Sequence, residues 1–258
     1  MNNLINKLKI LKNFGVVAIK QSLEDEGASF EDLTFMRKLT KKLDLKLNVK
    51  IGGCEAKNDI FFCHSIFANG IVAPMVESEY ALKKFIQTVP SSFKGDLYVN
   101  LESKNAISNL NKILDKNEFK KLKGVVIGRS DLAGSLDLTK KEVDSRKILN
   151  LMEHCLKKIK KNKKLVKMGG SITKNSKSFI SILFKKKLID RIETRNIELK
   201  LNDKIIKNFD MIISLVFNFE TDWLRYKYKK FKLNKIVKRS ILKRISEIDK
   251  REKILLNA

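Results

Sequence analysis

Two carboxylates, Glu102 in Asn100-Leu101-Glu102-Ser103 and Asp131 in Gly128-Arg129-Ser130-Asp131-Leu132, each follow a short apolar, β-branched run. If those runs are neighbouring strands, spaced about 4.8 Å apart, the two acids stand at corresponding strand ends. Carboxylates that converge this way repel each other unless a cation or a proton lies between them. A hard divalent ion suits such a pair, because Mg2+ takes one or two protein carboxylates and leaves its other positions to water or substrate. The plainer alternative is two separate acids, each capping a helix or held in a salt bridge.

Other strand ends carry cations and glycines. Lys20, Lys50 and Lys167 would all point into one mouth, which opens a second chemistry, a Schiff-base aldolase using a desolvated lysine. Lys167-Met168-Gly169-Gly170-Ser171 resembles late-strand loops whose glycines let backbone N–H groups approach an anion. Glu193-Thr194-Arg195 offers an arginine that either binds a carboxylate or pairs with Glu193. Cys54, Cys63, His64, His154 and Cys155 lack zinc-ligand spacing.

The elements that must hold these residues repeat. Apolar runs at Gly15–Ile19, Leu47–Ile51, Gly70–Ala73, Leu97–Leu101, Gly124–Ile127, Leu165–Met168 and Ile189–Ile192 alternate with amphipathic helical stretches. The runs lack polar alternation, as expected of parallel strands covered on both faces. Strand ends recur every 24 to 39 residues, the length of one strand–helix unit. With no dinucleotide-type glycine loop, the pattern predicts an α/β chain folded as a (β/α)8 TIM-type barrel, with seven strands legible. Residues 1–204 form the expected catalytic barrel, and residues 205–258 a helical C-terminal extension. Trp223, Phe217, Phe219 and Tyr226 there read as packing residues, or alternatively as an oligomer interface.

Charge excludes little. The 258 residues carry a net charge of +26, yet the 55 basic residues divide into 46 Lys and only 9 Arg. Readers of nucleic acid favour the arginine fork, so nucleic acid is not the expected partner. Residues 151–258 hold 30 basic and 11 acidic groups, so a polyanion surface in that third remains the competing class. The longest nearly apolar run, Met211 to Phe217, is far short of the roughly 20 residues that span a bilayer. The first residues do not read as a secretory signal, and three scattered cysteines fit a reducing cytoplasm.

Three segments carry a resemblance: Val72-Ala73-Pro74-Met75-Val76-Glu77-Ser78, Leu101-Glu102-Ser103, and Gly128-Arg129-Ser130-Asp131-Leu132 extended through Ala133-Gly134-Ser135-Leu136. In order and spacing they resemble the HpcH/HpaI aldolase and citrate lyase β-subunit family, over roughly residues 5–200. The resemblance implies a metal-dependent barrel of the phosphoenolpyruvate/pyruvate superfamily. Such enzymes make or break carbon–carbon bonds next to a 2-oxo acid or acyl-thioester enolate. It implies that Glu102 and Asp131 are ligands of Mg2+ or Mn2+, and that the backbone around Gly128, Arg129 and Ser130 cradles the oxo-acid carboxylate. Lys50 stands where the family places an arginine, and Glu26 where its aldolases place a histidine.

The sequence therefore predicts a cytoplasmic, homo-oligomeric, divalent-metal-dependent lyase acting on a small 2-oxo or hydroxy acid. Lys50 would be the electrostatic partner and Glu26 the base. Gly128, Arg129, Ser130, Lys167, Gly169 and Gly170 would bind substrate.

Overall fold

The computed structural model describes residues 1–24 and 26–253; Asp25, in the acidic segment beside Glu26, and residues 254–258 lie outside the described residues. The strands are β1 (Val16–Ser22), β2 (Lys46–Lys50), β3 (Gly70–Ala73), β4 (Asp96–Asn100), β5 (Gly124–Gly128), β6 (Leu165–Gly169), β7 (Arg191–Glu193) and β8 (Ile197–Lys200). They close into a barrel in sequence order. From β1 to β7 every neighbouring pair is parallel. The last connection differs. Residues 194–196 turn the chain straight back, so β8 runs antiparallel to both β7 and β1. The strand hidden in the sequence is a hairpin return with no helix before it.

The strands expected to be apolar throughout in fact alternate. Ile19, Val49, Ile71, Val99, Val125, Val166, Ile192, Ile197 and Leu199 join the main core, against the helices. The intervening positions face the barrel interior, where Val72, Tyr98 and Val126 form a separate small apolar cluster. Above and around it the interior is polar, because Lys20, Asn48, Lys50, Asn100, Lys167, Arg191, Glu193 and Glu198 occupy that same face. A period of two places one set outward and the other inward.

The helices are α1 (Asn2–Asn13), α2 (Phe30–Leu43), α3 (Lys57–Ser65), α4 (Glu79–Thr88), α5 (Lys104–Ser108), α6 (Leu110–Leu114), α7 (Asn117–Lys120), α8 (Arg129–Ser135), α9 (Arg146–Lys161), α10 (Lys177–Lys185), α11 (Asp203–Lys207), α12 (Phe209–Lys230) and α13 (Lys235–Lys253). Serine caps start several of them: Ser29, Ser78, Ser103 and Ser145 each accept from a backbone N–H in the first turn. A cap of this kind is worth about 1 kcal/mol. Ser103 matters most, since it fixes the turn directly after Glu102.

Helix α12 packs along α1, and its Trp223 stacks on Phe35 of α2 with ring centroids 5.4 Å apart. Tyr226 and Phe231 complete that aromatic cluster, and Lys227 pairs with the buried Asp32. Helix α13 packs on α12 in turn. No helix among the described residues is long and apolar enough to cross a membrane.

Candidate active site

A cavity of about 320 Å3 opens at the C-terminal ends of the parallel strands. Its floor and walls include Lys20, Lys50, Asn100, Glu102, Gly128, Ser130, Asp131 and Glu193. Glu102 is 2% exposed and held from three sides. Asn100 Nδ2 donates to its Oε2 at 2.8 Å, Met75 N donates to Oε1 at 3.2 Å, and Lys50 Nζ lies 3.5 Å from Oε1. Met75 achieves this from the left-handed region, at φ +48°, which few side chains adopt without a compensating contact. Burial pushes the Glu102 carboxyl above its usual range; Lys50 and Asn100 pull it down, and Asp131 pushes it up again. That last effect puts Asp131, exposed in the first turn of α8, within electrostatic reach of Glu102.

Gly128 makes room for Glu102: a Cβ there would lie 2.5 Å from its Oε2 and 2.9 Å from its Cβ. Gly128→Ala is expected to cost about 1–3 kcal/mol of stability through overpacking and to displace Glu102. Chemical denaturation and metal titration of the variant check both effects.

The other predicted residues divide. Ser130, Gly169 and Gly170 line the cavity. Ser130 Oγ lies 2.8 Å from Ser171 Oγ, and Gly170, at φ +82°, packs so closely on α8 that a Cβ would meet Ser130 N at 2.5 Å. Arg129 does not present its side chain to the mouth. Its buried guanidinium pairs with Asp144, donates to Gly169 O and Gly170 O, and lies 5.0 Å over Phe179. It clamps the glycine loop, and only its backbone remains where a ligand could meet it.

Lys167 is likewise not at the mouth. It is fully buried in the barrel interior, 2.7 Å from Glu198 Oε2 and 3.5 Å over the Tyr98 ring. Lys20 and Lys50 do reach the cavity, so the lysine-aldolase alternative keeps two of its three candidates. Lys20 pairs with Glu193 at 2.8 Å, the acid that one of the two alternatives gave to Arg195, and Arg195 itself lines the cavity. Glu26 enters from the loop after β1. Its carboxylate is 6% exposed, accepts from Asn196 Nδ2 at 3.0 Å, and lies 3.4 Å from Arg244 of α13. Burial pushes its pKa up against the pull of Arg244, Lys20 and Arg195.

Asn100 was legible in principle, being two residues before Glu102 on the inward face of one strand. Glu220, which accepts from Thr194 Oγ1 at 2.6 Å and Asn196 N at 2.8 Å, comes from α12 and carries no local signal. Among the described residues, no group of three or more His, Cys, Asp or Glu is arranged to hold a metal ion.

The chain is thus a TIM-type α/β barrel whose polar cavity sits at the C-terminal strand ends, with one strand reversed. Its fold is that of HpcH/HpaI aldolase and citrate lyase family proteins. One solved structure, a HpcH/HpaI aldolase/citrate lyase family protein from Burkholderia cenocepacia J2315, superposes with a TM-score of 0.61 at 12% identity. That match covers 84% of this chain and 90% of the other. A HpcH/HpaI aldolase from Desulfitobacterium hafniense DCB-2 gives a TM-score of 0.60 at 12% identity, over 74% and 82%. A variant of the citrate synthase SbnG gives 0.58 at 12% identity, over 84% and 90%. No family model and no curated protein matches the sequence.

Proposed function

We propose that the protein is a divalent-metal-dependent carbon–carbon lyase acting through the enolate of a 2-oxo acid or acyl thioester. The observation that carries this reading is the setting of Glu102. It is a buried carboxylate fixed at the rim of the cavity that Asp131 also lines, beside an Asn100 Oδ1 that is buried without a hydrogen-bond partner. This all-oxygen set fits a hard cation such as Mg2+ or Mn2+; Glu102 and Asp131 would hold it, with Asn100 Oδ1 at hand. When bound, the ion supplies Lewis acidity toward an enolate oxygen.

The chain's own residues do the rest. Lys50 places an ammonium at the same rim, a point charge where an arginine would have given a two-pronged grip. The start of α8 at Gly128 has no side-chain cap, so its first N–H groups can meet a carboxylate. Gly169 and Gly170 leave the approach open, while Arg129 and Lys167 act as positioning residues from behind. Glu26 is the base that moves the proton of the partner hydroxyl.

The test is exchange of the methyl protons of pyruvate with D2O, followed by NMR. Exchange dependent on Mg2+ or Mn2+ is expected. Exchange in EDTA with a borohydride-trapped lysine adduct would favour the Schiff-base chemistry, and no exchange above background would count against both.

Glu26 gives a pH signature. A base acts ionised, so the rate should fall as pH falls through its pKa, at a point above the ordinary carboxylate range because the group is buried. Glu26→Gln should lower the rate of carbon–carbon cleavage of a hydroxy-2-oxo acid by about 10²-fold, leave pyruvate exchange largely intact, and erase that acidic limb of cleavage. A pH–rate profile of the two proteins decides this.

A further inference from the structure

A second cavity, of about 550 Å3, lies at the opposite end of the barrel, where the parallel strands begin. Six residues that line it are cations, Lys123, Lys160, Lys163, Lys164, Arg191 and Lys200, and one, Asp190, is an acid. Two of the six have partners. Lys160 donates to both oxygens of Asp190, at 2.8 and 2.9 Å, and Arg191 is held by Glu198 inside the barrel. No ion pair engages Lys123, Lys163, Lys164 or Lys200 among the described residues. Lys123 acts on Asp96 at longer range, but that acid is already bound by Lys46 at 2.8 Å.

The barrel itself brings these lysines together. Gly124 and Leu165 are partners across β5 and β6, so Lys123 and Lys164, the residues just before them, stand side by side at the strand starts. Lys164 Nζ reaches back to Lys120 O and Leu122 O at 2.9 and 2.6 Å, which holds its ammonium beside the chain at Lys123. Burial and the charge of Lys123 both pull the Lys164 pKa down. Lys200 ends the reversed strand β8 and is in register with Arg191 at the start of β7. Lys163 comes from the turn between α9 and β6. The carbonyls at the end of α9 favour Lys160 nearby, but Lys123 and Lys200 belong to other elements.

We propose that this concavity binds a short chain of phosphate groups, at a site separate from the mouth and independent of the lyase reading. Four like charges gathered in one hollow repel each other until a multiply charged anion lies between them. Ammonium groups on flexible stems serve phosphate oxygens as point charges, whereas a carboxylate is gripped best by an arginine fork. The one arginine here is committed to Glu198. No aromatic ring lines the concavity, so a nucleic-acid base finds no platform to stack on. Phe119 is covered by Lys164, whose Nζ lies 5.5 Å from the ring centroid. A triphosphate chain is compact and carries a charge comparable to that of the four lysines.

Calorimetric titration in metal-free buffer tests this, with inorganic tripolyphosphate, orthophosphate, ATP and a short oligodeoxythymidylate as probes. Tripolyphosphate should bind one to one, about 10-fold or more tightly than orthophosphate. Lys123→Gln/Lys163→Gln/Lys200→Gln should weaken that binding about 10-fold or more, with an unchanged melting temperature. Lys229→Gln/Lys232→Gln/Lys243→Gln removes the same charge from exposed positions outside the cavity and should leave the affinity almost unchanged. Equal affinity for ATP would assign the site to the triphosphate of a nucleotide, and weaker ATP binding to a free oligophosphate; either supports the site. Amine labelling of the wild type needs no variant: saturating tripolyphosphate should shield Lys123, Lys163, Lys164 and Lys200 but not Lys229 or Lys243.

Absence of saturable tripolyphosphate binding, equal loss in the two triple variants, or unchanged labelling of the four lysines would each overturn the proposal. Tighter binding of the oligonucleotide, lost in the cavity variant, would overturn it in favour of a nucleic-acid surface.

Discussion

Glu102→Gln combined with Asp131→Asn is expected to lower metal-dependent pyruvate exchange at least about 10³-fold while leaving the barrel folded. Amides keep the shape of both side chains and remove the charge that a cation needs. The choice of glutamine matters, because Glu102 receives Asn100 Nδ2 and Met75 N and faces Lys50. Alanine at 102 would strand those donors in a buried setting, at about 1–3 kcal/mol. Loss of activity would then be mixed with loss of structure. Glutamine still offers one oxygen to a donor, so the melting temperature should move little. Retention of full exchange by the double amide variant would remove these two residues from the chemistry.

Glu198→Ala is expected to destabilise the fold by about 3–5 kcal/mol. Glu198 is completely buried in the barrel interior. Its Oε2 accepts from Asn48 Nδ2 and Lys167 Nζ, both at 2.7 Å, and its Oε1 from Arg191 Nη1 at 2.5 Å. Two cations depend on this one carboxylate. Burial pulls the Lys167 pKa down, and Glu198 is the main group that pushes it back up. Without Glu198, Lys167 must either keep an unpaired buried charge or give up its proton. Lys167→Met together with Glu198→Gln should cost much less than Glu198→Ala alone, because no lysine charge is then left uncompensated. Urea denaturation of the three proteins measures this, and a loss below about 1 kcal/mol for Glu198→Ala would show that the ion cluster does not hold the barrel interior.

The sequence discloses the seven parallel strands because their outward positions are apolar and β-branched, as at Ile19, Val49, Ile71 and Val125. The same runs hide the interior: Lys167 and Lys20 look equivalent in sequence, yet one lies beneath the mouth and the other in it. Strand β8 escaped because Ile197-Glu198-Leu199-Lys200 is four residues long and follows β7 after a three-residue turn. A search for repeats of strand–helix length passes over such a hairpin. Of the candidate site, Glu102, Asp131, Lys50 and the glycine loop were readable from their places after strands. Arg129 was expected to offer its backbone, and a strand-end arginine gives no sign in sequence that Asp144 and Phe179 will hold its side chain away from the mouth. Glu220 and Arg251 reach the mouth from α12 and α13, and Arg244 of α13 pairs with Glu26; only the tertiary fold reveals that those helices come to it.

In the proposed site Glu102 and Asp131 hold a divalent ion together with a 2-oxo acid. Calorimetric titration of Mg2+ and Mn2+ in the presence of oxalate, a mimic of the pyruvate enolate, addresses it most directly. The expected result is saturable binding that oxalate strengthens in the wild type and that is absent from the Glu102→Gln/Asp131→Asn variant. Binding of neither metal to the wild type, with or without oxalate, would contradict it.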